Sequence, residues 1–351
     1  MLSIQQLLQL TVEKNASDLH VIPDYYPTIR INNELFPLRT LDMVTPQSVQ
    51  AILFTILSPE MKENLITNKD IDFGYELDKV RFRANYYFSK GALAATFRVI
   101  PSSIKPIEEL NLPPIFHDFT LYKQGLILMT GPTGEGKSTT LASMINEINM
   151  KDSKHIITIE DPIEFIYPNS KSIISQRELH QDTHSWTIAL RSVLREDPDV
   201  VLIGEMRDFD TIQAALTIAE TGHLVFSTLH TSSTPEAINR IIDVFPAHQQ
   251  NQIRSQLSSV LKAVVAQRLL PNLDQTGRLP AVEILMNTPS VAATIRDGKI
   301  FLLDNVLETG EDENMILFEK YIAKLYRQGL ISRDTAFSYA IRPNEIKKFV
   351  T

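Results

Sequence analysis

The sequence predicts an α/β protein with two domains: a C-terminal domain built on a parallel sheet, preceded by a smaller α+β domain. From about residue 125, aliphatic strand-like runs alternate with helical patterns, as is typical of a parallel sheet with helices on both faces. Before residue 100, short alternating strands indicate one antiparallel sheet. We therefore expect these segments: residues 1–100 as the smaller domain, 101–123 as a proline-rich linker, 124–275 as the core of the larger domain, and 276–351 as its C-terminal strand and helical tail.

Apolar spacing and turn signals predict the elements of the smaller domain. Apolar residues between positions 4 and 12 recur at helical spacing, and Thr45 and Ser58 are typical helix N-caps. The pair Asn32-Asn33 separates two apolar runs, which indicates a hairpin because Asn tolerates positive φ. The later strands are predicted to form an antiparallel meander: residues 71–75, 80–88 and 92–100.

The larger domain is predicted to alternate strands and helices. Its predicted strands are residues 126–129, 156–159, 200–203, 224–228 and 281–285, and its predicted helices include 138–149, 185–195 and 209–220. A long helical pattern follows Pro246 and is expected to continue to Leu270. A helical tail is expected to follow the last strand, 281–285, and to continue to Val350.

Composition excludes several classes of protein. The 351 residues contain no cysteine, which excludes a disulfide framework, a thiolate zinc site and a cysteine nucleophile. No apolar run approaches the roughly 18 residues of a transmembrane helix. The N-terminus lacks the basic region and cleavage site of a signal peptide, so we expect a cytoplasmic protein. A net charge of −8 lowers the expectation of nucleic acid as a partner.

A complete P-loop pattern, Gly131-x4-Gly136-Lys137-Ser138, directly follows the first strand of the larger domain. Glycines let backbone N–H groups turn inward around the phosphates of a nucleoside triphosphate, and the following helix adds its positive dipole end. Lys137 is placed to reach the β- and γ-phosphates, and Ser138 to ligate Mg²⁺. The pattern predicts ATP and Mg²⁺ as ligands, bound by the whole loop: Gly131, Pro132, Thr133, Gly134, Glu135, Gly136, Lys137, Ser138 and Thr139.

Two acidic groups follow later strands, at the edge where ligands bind in open α/β sheets. Glu160 and Glu164 follow the strand at 156–159, and they suit the orientation of water or the binding of a metal ion. Acidic residues capping a helix are the alternative. Glu205 ends the aliphatic run 200–203, a Walker-B-like pattern that directs a carboxylate to the Mg²⁺ near Ser138.

Two histidines bracket the predicted strand 224–228. His230 follows the strand and is a candidate for sensing the γ-phosphate or the catalytic water, and His223 precedes it. The alternative for each is a core or capping histidine.

Arginines supplied by another domain or subunit can stabilise charge on a transferring phosphate. Strand alternation places Arg81 and Arg83 on one face, with Arg98 on the adjoining strand. An exposed strand face bearing solvated charges is an equally good interpretation. Further candidates are Arg191, Arg195 and Arg207.

In their order along the chain these motifs resemble those of the type IV pilus retraction ATPases, the PilT family of the secretion-ATPase superfamily. The blocks that carry the resemblance are the segment 16–20, the P-loop, TIEDPIEF at 158–165, the region 189–208 and AETGHLVFSTLHT at 219–231. They resemble the family's N-terminal motif, Walker A, Asp box, Walker B region and His box, and the resemblance as a whole runs essentially from one end of the chain to the other.

The resemblance implies an N-terminal PAS-like domain and a C-terminal RecA-like P-loop NTPase domain, assembled as a hexamer with nucleotide bound between the domains. It implies that Lys137 and Ser138 bind phosphate and Mg²⁺, and that Glu164 is the catalytic glutamate. It also implies that Glu205 acts at the Mg²⁺ site and that His223 and His230 belong to the His box. The pilus assembly and type II secretion relatives usually carry a tetracysteine zinc module, which this sequence lacks.

Two features depart from the family pattern. Glu135 stands where the family has Ser or Ala, and a carboxylate there weakens phosphate binding unless it points outward. Residues 291–299 match the family's C-terminal retraction-associated segment only at Ile295, Arg296, Gly298 and Lys299.

The favoured hypothesis is a homohexameric ATPase motor at the inner face of the bacterial inner membrane. It would act on a membrane platform protein, with a paralogous retraction ATPase as a further partner, and drive pilus retraction through a change of angle between its domains. The alternatives are an accessory ring subunit with low turnover, a secretion or assembly ATPase of the same superfamily, and a nucleic-acid translocase.

Overall fold

Two units make up the chain in the computed structural model, which describes residues 3–31, 34–78, 80–100 and 103–350. The first unit comprises Met1–Ser103, Asp161–Ile166 and Glu178–Asp182, and the second comprises Ile104–Glu160, Tyr167–Arg177 and Thr183–Thr351. Two short segments from the middle of the chain thus pack with N-terminal residues. Of the expected linker, residues 104–123 belong to the second unit. Pro101 and the expected Asn32-Asn33 turn lie outside the described residues.

The first unit contains three α-helices and one six-stranded antiparallel sheet among the residues described there. Its elements are α1 (Ile4–Glu13), β1 (Asp18–Val21), β2 (Thr28–Ile31), β3 (Glu34–Pro37), α2 (Pro46–Leu53), α3 (Pro59–Asn68), β4 (Asp70–Leu77), β5 (Val80–Ser89) and β6 (Ala92–Ile100). The strand order is β3-β2-β1-β6-β5-β4. The expected hairpin strands and the meander are confirmed by the antiparallel pairing of β2 with β3 and of β4, β5 and β6.

Side-chain caps set where the helices of the first unit begin. The Ser3 hydroxyl accepts from Gln6 N while the Gln6 side chain accepts from Ser3 N, which closes a capping box at the start of α1. Thr45 and Ser58 cap α2 and α3 as predicted, each ahead of a proline in the first turn. These caps satisfy N–H groups that have no partner within the helix.

An aromatic group lies at the centre of the first unit. Phe73, Tyr86 and Phe97 project from β4, β5 and β6, and Tyr86 meets each of the other two rings edge-on at centroid distances of 5.2 and 5.7 Å. Phe82 is buried on the same face of β5. Because strand side chains alternate, this apolar face leaves Arg81 and Arg83 on the opposite face of the sheet.

The second unit follows the predicted alternation of strands and helices. Its elements are α4 (Ile115–Thr120), β7 (Gly125–Thr130), α5 (Lys137–Lys151), β8 (His155–Glu160), β9 (Ile173–Glu178), α6 (Trp186–Val193), β10 (Val200–Ile203), α7 (Phe209–Glu220), β11 (Leu224–Thr228), α8 (Thr234–Asp243), α9 (Ala247–Val260), β12 (Leu261–Pro271), β13 (Arg278–Met286), α10 (Pro289–Arg296), α11 (Leu303–Thr309), α12 (Phe318–Arg327), α13 (Arg333–Tyr339) and α14 (Pro343–Phe349). The last residue of β9 groups with the first unit.

A seven-stranded sheet in the order β13-β12-β7-β11-β10-β8-β9 organises the second unit. Strands β12, β7, β11, β10 and β8 run parallel, and β13 pairs antiparallel with β12. Every residue of β7, β10 and β11 is buried. Burial on both faces explains why these strands read as continuous aliphatic runs.

The predicted helix from Pro246 to Leu270 is wrong in its second half. Helix α9 ends at Val260, and residues 261–271 form β12, which pairs with β7 and β13. When an apolar run is buried on both faces, its hydrophobic periodicity cannot distinguish a strand from a helix. The β-branched residues Val264 and Val265 favour a strand. Strand β9 was not predicted, because its residues alternate weakly and are mostly half-buried.

A buried ionic cluster links the C-terminal helices to the sheet. Arg342 Nη1 lies 2.6 Å from Glu283 Oε2 and 3.1 Å from Glu319 Oε2, and its Nη2 lies 2.6 Å from Asp304 Oδ1. Glu283 and Glu319 are fully buried. Glu283 Oε1 also accepts from the backbone N and the hydroxyl of Thr234 at 2.9 Å. The guanidinium therefore compensates two buried carboxylates that would otherwise be very unfavourable.

Within the described ranges, no helix combines the length and apolar character needed to cross a membrane.

Replacing Arg342 with Met is expected to lower the free energy of unfolding by about 3–5 kcal/mol, because it leaves two buried carboxylates without a cation. Urea unfolding of the full-length protein followed by circular dichroism measures the loss. Lys347→Met, which changes an exposed lysine on α14, is the matched control. Equal midpoints for the two variants would contradict the assigned role of the cluster.

Candidate active site

The P-loop connects β7 to α5 through glycines whose backbones adopt positive φ. Gly131 has a φ of 144° and Gly136 a φ of 77°, and Gly136 is the left-handed N-cap of α5. A Cβ on Gly131 would lie 2.4 Å from the Gln267 backbone oxygen, so no larger residue fits beside β12. The loop therefore presents backbone N–H groups together with the amino end of a 15-residue helix.

Lys137 is the first residue of α5 and is nearly buried. Its Nζ donates to the backbone oxygens of Gly131 at 2.6 Å and Pro132 at 2.9 Å. The ammonium is therefore held against the loop at the amino end of the helix. A positive charge fixed there complements the charge of a bound phosphate.

Glu135 is bonded to β12 through both its side chain and its backbone. Its carboxylate accepts a short hydrogen bond from the backbone N of Leu269 on β12. Its backbone oxygen accepts from Gln267 Nε2 at 2.7 Å. The departure from the family pattern at this position thus adds an anchor between the loop and β12.

Gln267 is a site residue that sequence reasoning missed. The side chain is buried on β12, where Nε2 donates to Glu135 O and Oε1 accepts from Thr140 Oγ1 at 2.9 Å. One amide therefore joins the P-loop, α5 and β12. The available signal was a single amide within the apolar run 261–270, which the helical interpretation of that run obscured.

Glu205 and His230 come together at the carboxyl ends of β10 and β11. Glu205 Oε2 lies 3.3 Å from His230 Nε2, and Glu205 Oε1 lies 2.6 Å from Arg207 Nε. The Glu205 side chain is 14% exposed, whereas those of His230 and Arg207 are 44% and 72% exposed. The mostly buried Glu205 carboxylate thus has two partners, His230 and Arg207, whose side chains are more exposed to solvent.

The parallel sheet places these groups at one edge. The P-loop, Glu205 and His230 follow the carboxyl ends of β7, β10 and β11, which are neighbours in the sheet. Thr130 at the end of β7 accepts from Thr231 N at 2.9 Å through its Oγ1, which also lies 2.7 Å from Thr231 Oγ1. This contact fixes the loop after β11 against the start of the P-loop.

Glu160 and His223 have different environments from these groups. Glu160 ends β8 at the same edge, where it accepts from Thr158 Oγ1 at 2.6 Å and from Gln176 Nε2 at 3.4 Å.

His223 lies at the opposite end of β11 from His230, and its Nδ1 lies 3.0 Å from Ile218 O near the end of α7. Within the second unit, His223 is therefore not brought to the edge that carries the P-loop.

The first unit contains the candidate arginines Arg81, Arg83 and Arg98 and the segment Asp161–Ile166, which carries Glu164. Arg83 Nη2 lies 2.8 Å from Asp72 Oδ2, and this hydrogen bond raises the pKa of Arg83, with the charges of Glu164 and Asp161 adding to the effect. Arg83 is therefore held in an acidic environment that includes Glu164. The ion pair with Asp72 is compatible with both interpretations of Arg83, as a phosphate ligand and as a charge on the strand face.

The other two arginines each have a carboxylate partner of their own. Arg98 Nε donates to Asp18 Oδ1 at 2.9 Å, although the arginine side chain is 68% exposed. Arg81 forms an ion pair with the buried Glu178. Arg191 and Arg195, the remaining candidates, are exposed at the end of α6 and just after it.

The residues of the second unit fit a nucleotide with a divalent cation. The positive-φ glycines, the helix terminus and Lys137 suit the phosphates. No group of three or more His, Asp or Glu side chains that suits a metal ion occurs among the described residues. Mg²⁺ at nucleotide sites is held by one or two protein oxygens together with phosphate oxygens. Ser138 and Glu205 are the protein groups suited to that role.

The segment 291–299 combines core residues with exposed charges. Val291 and Ile295 of α10 are buried in the core of the second unit. Arg296 and Lys299 are exposed, and Gly298 has a φ of 73° that lets the chain turn after the helix. The positions that match the family pattern thus include the exposed cations of this segment.

Comparison with known proteins places the chain among bacterial secretion and pilus proteins. The family model described as type II/IV secretion system protein matches residues 2–328. The chain is similar to a twitching motility protein of Neisseria gonorrhoeae, with 44% identity over 95% of this chain and 89% of that protein. It is also similar to the type IV pilus retraction ATPase PilT of Pseudomonas aeruginosa, with 40% identity over 95% of this chain and 97% of that protein.

A solved structure extends the similarity to the fold. The crystal structure of the pilus retraction motor PilT with bound ADP matches with a TM-score of 0.92 and 40% identity. The match covers 99% of this chain and all of that one. The two chains therefore share the arrangement of elements from end to end.

Gln267→Ala is expected to raise the Kd for a fluorescent ATP analogue about tenfold, because it removes the hydrogen bonds that fix the P-loop to β12 and α5. Fluorescence titration of the full-length protein measures the change. Gln328→Ala, which changes an exposed glutamine at the end of α12, is the control. An unchanged Kd for Gln267→Ala would show that the amide does not support the loop.

Proposed function

The chain belongs to the type II/IV secretion system protein family and, within it, to the PilT-family pilus retraction ATPases. On that premise we propose that it is an ATP-hydrolysing motor that powers type IV pilus retraction. One observation carries the proposal: a P-loop, Glu205 and His230 follow three neighbouring parallel strands at one sheet edge. The end-to-end similarity to retraction proteins supports the biological assignment.

The proposed roles follow from charge and position. The P-loop N–H groups, the amino end of α5 and Lys137 bind and orient the phosphates of ATP. Ser138 and Glu205 would hold Mg²⁺, and the bound ion would supply positive charge to the phosphate oxygens. His230, through its contact with Glu205, responds to the charge of the γ-phosphate.

Glu164 is proposed to orient and deprotonate the attacking water. A carboxylate suits this role because it accepts a hydrogen bond from water, and a proton once the new bond to phosphorus forms. Glu164 belongs to the first unit, as does Arg83, whose cation lies in its field.

The work is mechanical, since retraction requires no bond in the pilin to break. We assign the protein to a homohexamer whose subunits change conformation with their nucleotide state, through rigid-body movement of one unit against the other. A platform protein of the inner membrane receives the force, and a paralogous retraction ATPase is a further partner. The motor then lies at the cytoplasmic face of the inner membrane, and nucleic acid has no role.

Two substitutions test hydrolysis. Lys137→Ala and Glu164→Gln are each expected to lower kcat for ATP roughly 100-fold or more, the first by removing a phosphate ligand and the second by removing the base. Phosphate release by the purified protein measures turnover. Lys151→Ala, at the other end of α5, is the control. Parental turnover in both variants would reject an ATPase motor, and low turnover in the parent would favour the accessory subunit.

Deletion of the gene tests the direction of force. Without a retraction motor, cells are expected to carry excess pili and to lose twitching motility. Electron microscopy and a surface-spreading assay report the two phenotypes. The parental gene should restore both, whereas the Lys137→Ala gene should not. Loss of surface pili on deletion would instead identify an assembly motor.

A further inference from the structure

Glu178 is a buried carboxylate on which four donors converge. Its side chain is 1% exposed, at the last position of β9. Oε1 accepts from Gly74 N at 2.8 Å and from Gln181 Nε2 at 2.6 Å. Oε2 accepts from Ile163 N at 3.2 Å and from Arg81 Nη2 in a short ion pair. A carboxylate has about four acceptor positions, and all of them are used here.

The surroundings of Glu178 leave no space for a larger residue at position 74. A Cβ on Gly74 would lie 2.4 Å from Arg81 Nη2 and 2.7 Å from Glu178 Oε2. Gly74 and Arg81 belong to β4 and β5, paired strands of the first sheet. The glycine therefore permits the close approach of the ion pair to the backbone of β4.

One of the four donors belongs to the segment that carries the proposed base. The Ile163 N–H directly precedes Glu164, and the segment Asp161–Ile166 groups with the first unit, as Glu178 does. The other donors belong to β4, β5 and the turn after β9. Glu178 thus joins the backbone beside Glu164 to the sheet that carries Arg83, whose cation lies in the field of Glu164.

We propose that Glu178 is a positioning residue for hydrolysis: by binding Ile163 N–H, Arg81 and Gly74 N–H together, it fixes the Asp161–Ile166 segment to the first sheet and so places Glu164. The inference rests on the proposed function of Glu164. It gives Arg81 a structural role as the ion-pair partner of Glu178, in place of the role of phosphate ligand. It also makes the proposed base part of the N-terminal unit and not of the unit that contains the P-loop.

Glu178→Gln is the direct test, because it removes the negative charge beside Arg81 and replaces one of the two acceptor oxygens with an NH₂ group that cannot accept. In the full-length protein, kcat for ATP is expected to fall about tenfold, with KM unchanged, since a charged hydrogen-bond acceptor is lost beside the base. Hydrogen–deuterium exchange in the peptide covering 161–166 should accelerate by about the same factor. Gly74→Ala should give the same two changes by displacing the ion pair from the opposite side.

The controls separate positioning from general damage. Arg177→Gln changes the neighbouring residue of β9, whose partners are Glu196 and Ser192 at 2.8 Å, and should leave kcat and exchange unchanged. Gln181→Ala removes one exposed donor to Glu178 and should accelerate exchange more weakly without unfolding the protein. If Glu178→Gln or Gly74→Ala fails to fold, the exchange rate of Gln181→Ala at 161–166 tests the positioning role of Glu178.

A double variant distinguishes the two proposals. In a Glu164→Gln background, Glu178→Gln should cause no further fall in kcat, because it acts through Glu164. An equal fall in both backgrounds, or unchanged exchange at 161–166, would overturn the positioning role. Parental turnover in Glu164→Gln alone would instead reject Glu164 as the base, while the exchange measurement would still report whether Glu178 holds the segment.

Discussion

The burial of a parallel sheet on both faces is the constraint from which the candidate site follows. Strands β7, β10 and β11 are buried throughout, and most of their residues are apolar. Polar groups are tolerated where each strand ends and the chain returns to solvent. Because the strands are parallel, those ends share one edge, and the topology of the sheet brings the P-loop, Glu205 and His230 to it.

Polar contacts then fix the loops at that edge. Thr130 joins the ends of β7 and β11 through Thr231, and Gln267 joins the P-loop to β12. A buried amide or hydroxyl is costly unless it is paired, so each contact favours one loop conformation over others. Glu135 follows the same principle, since its carboxylate accepts from a backbone N–H of β12.

Buried charges organise the rest of the chain. Glu178 with Arg81, and Glu283 and Glu319 with Arg342, each place carboxylates in the interior with a guanidinium beside them. Such groups contribute modest net stability, but removing one partner is strongly unfavourable, which makes the arrangement specific. Glu178 also binds the Asp161–Ile166 segment through Ile163 N. This segment therefore groups with the N-terminal residues although it lies in the middle of the sequence.

The sequence by itself determined the fold class, the P-loop, the carboxylate after β10 and most strands and helices, because these depend on local spacing and on residue types with narrow uses. Tertiary structure alone decided that residues 261–271 form a strand, since an apolar run buried on both faces has no distinguishing period. It also decided the orientation of Glu135, the position of His223 and the partners of Gln267 and Glu178. Those depend on contacts between residues far apart in sequence, which no local pattern encodes.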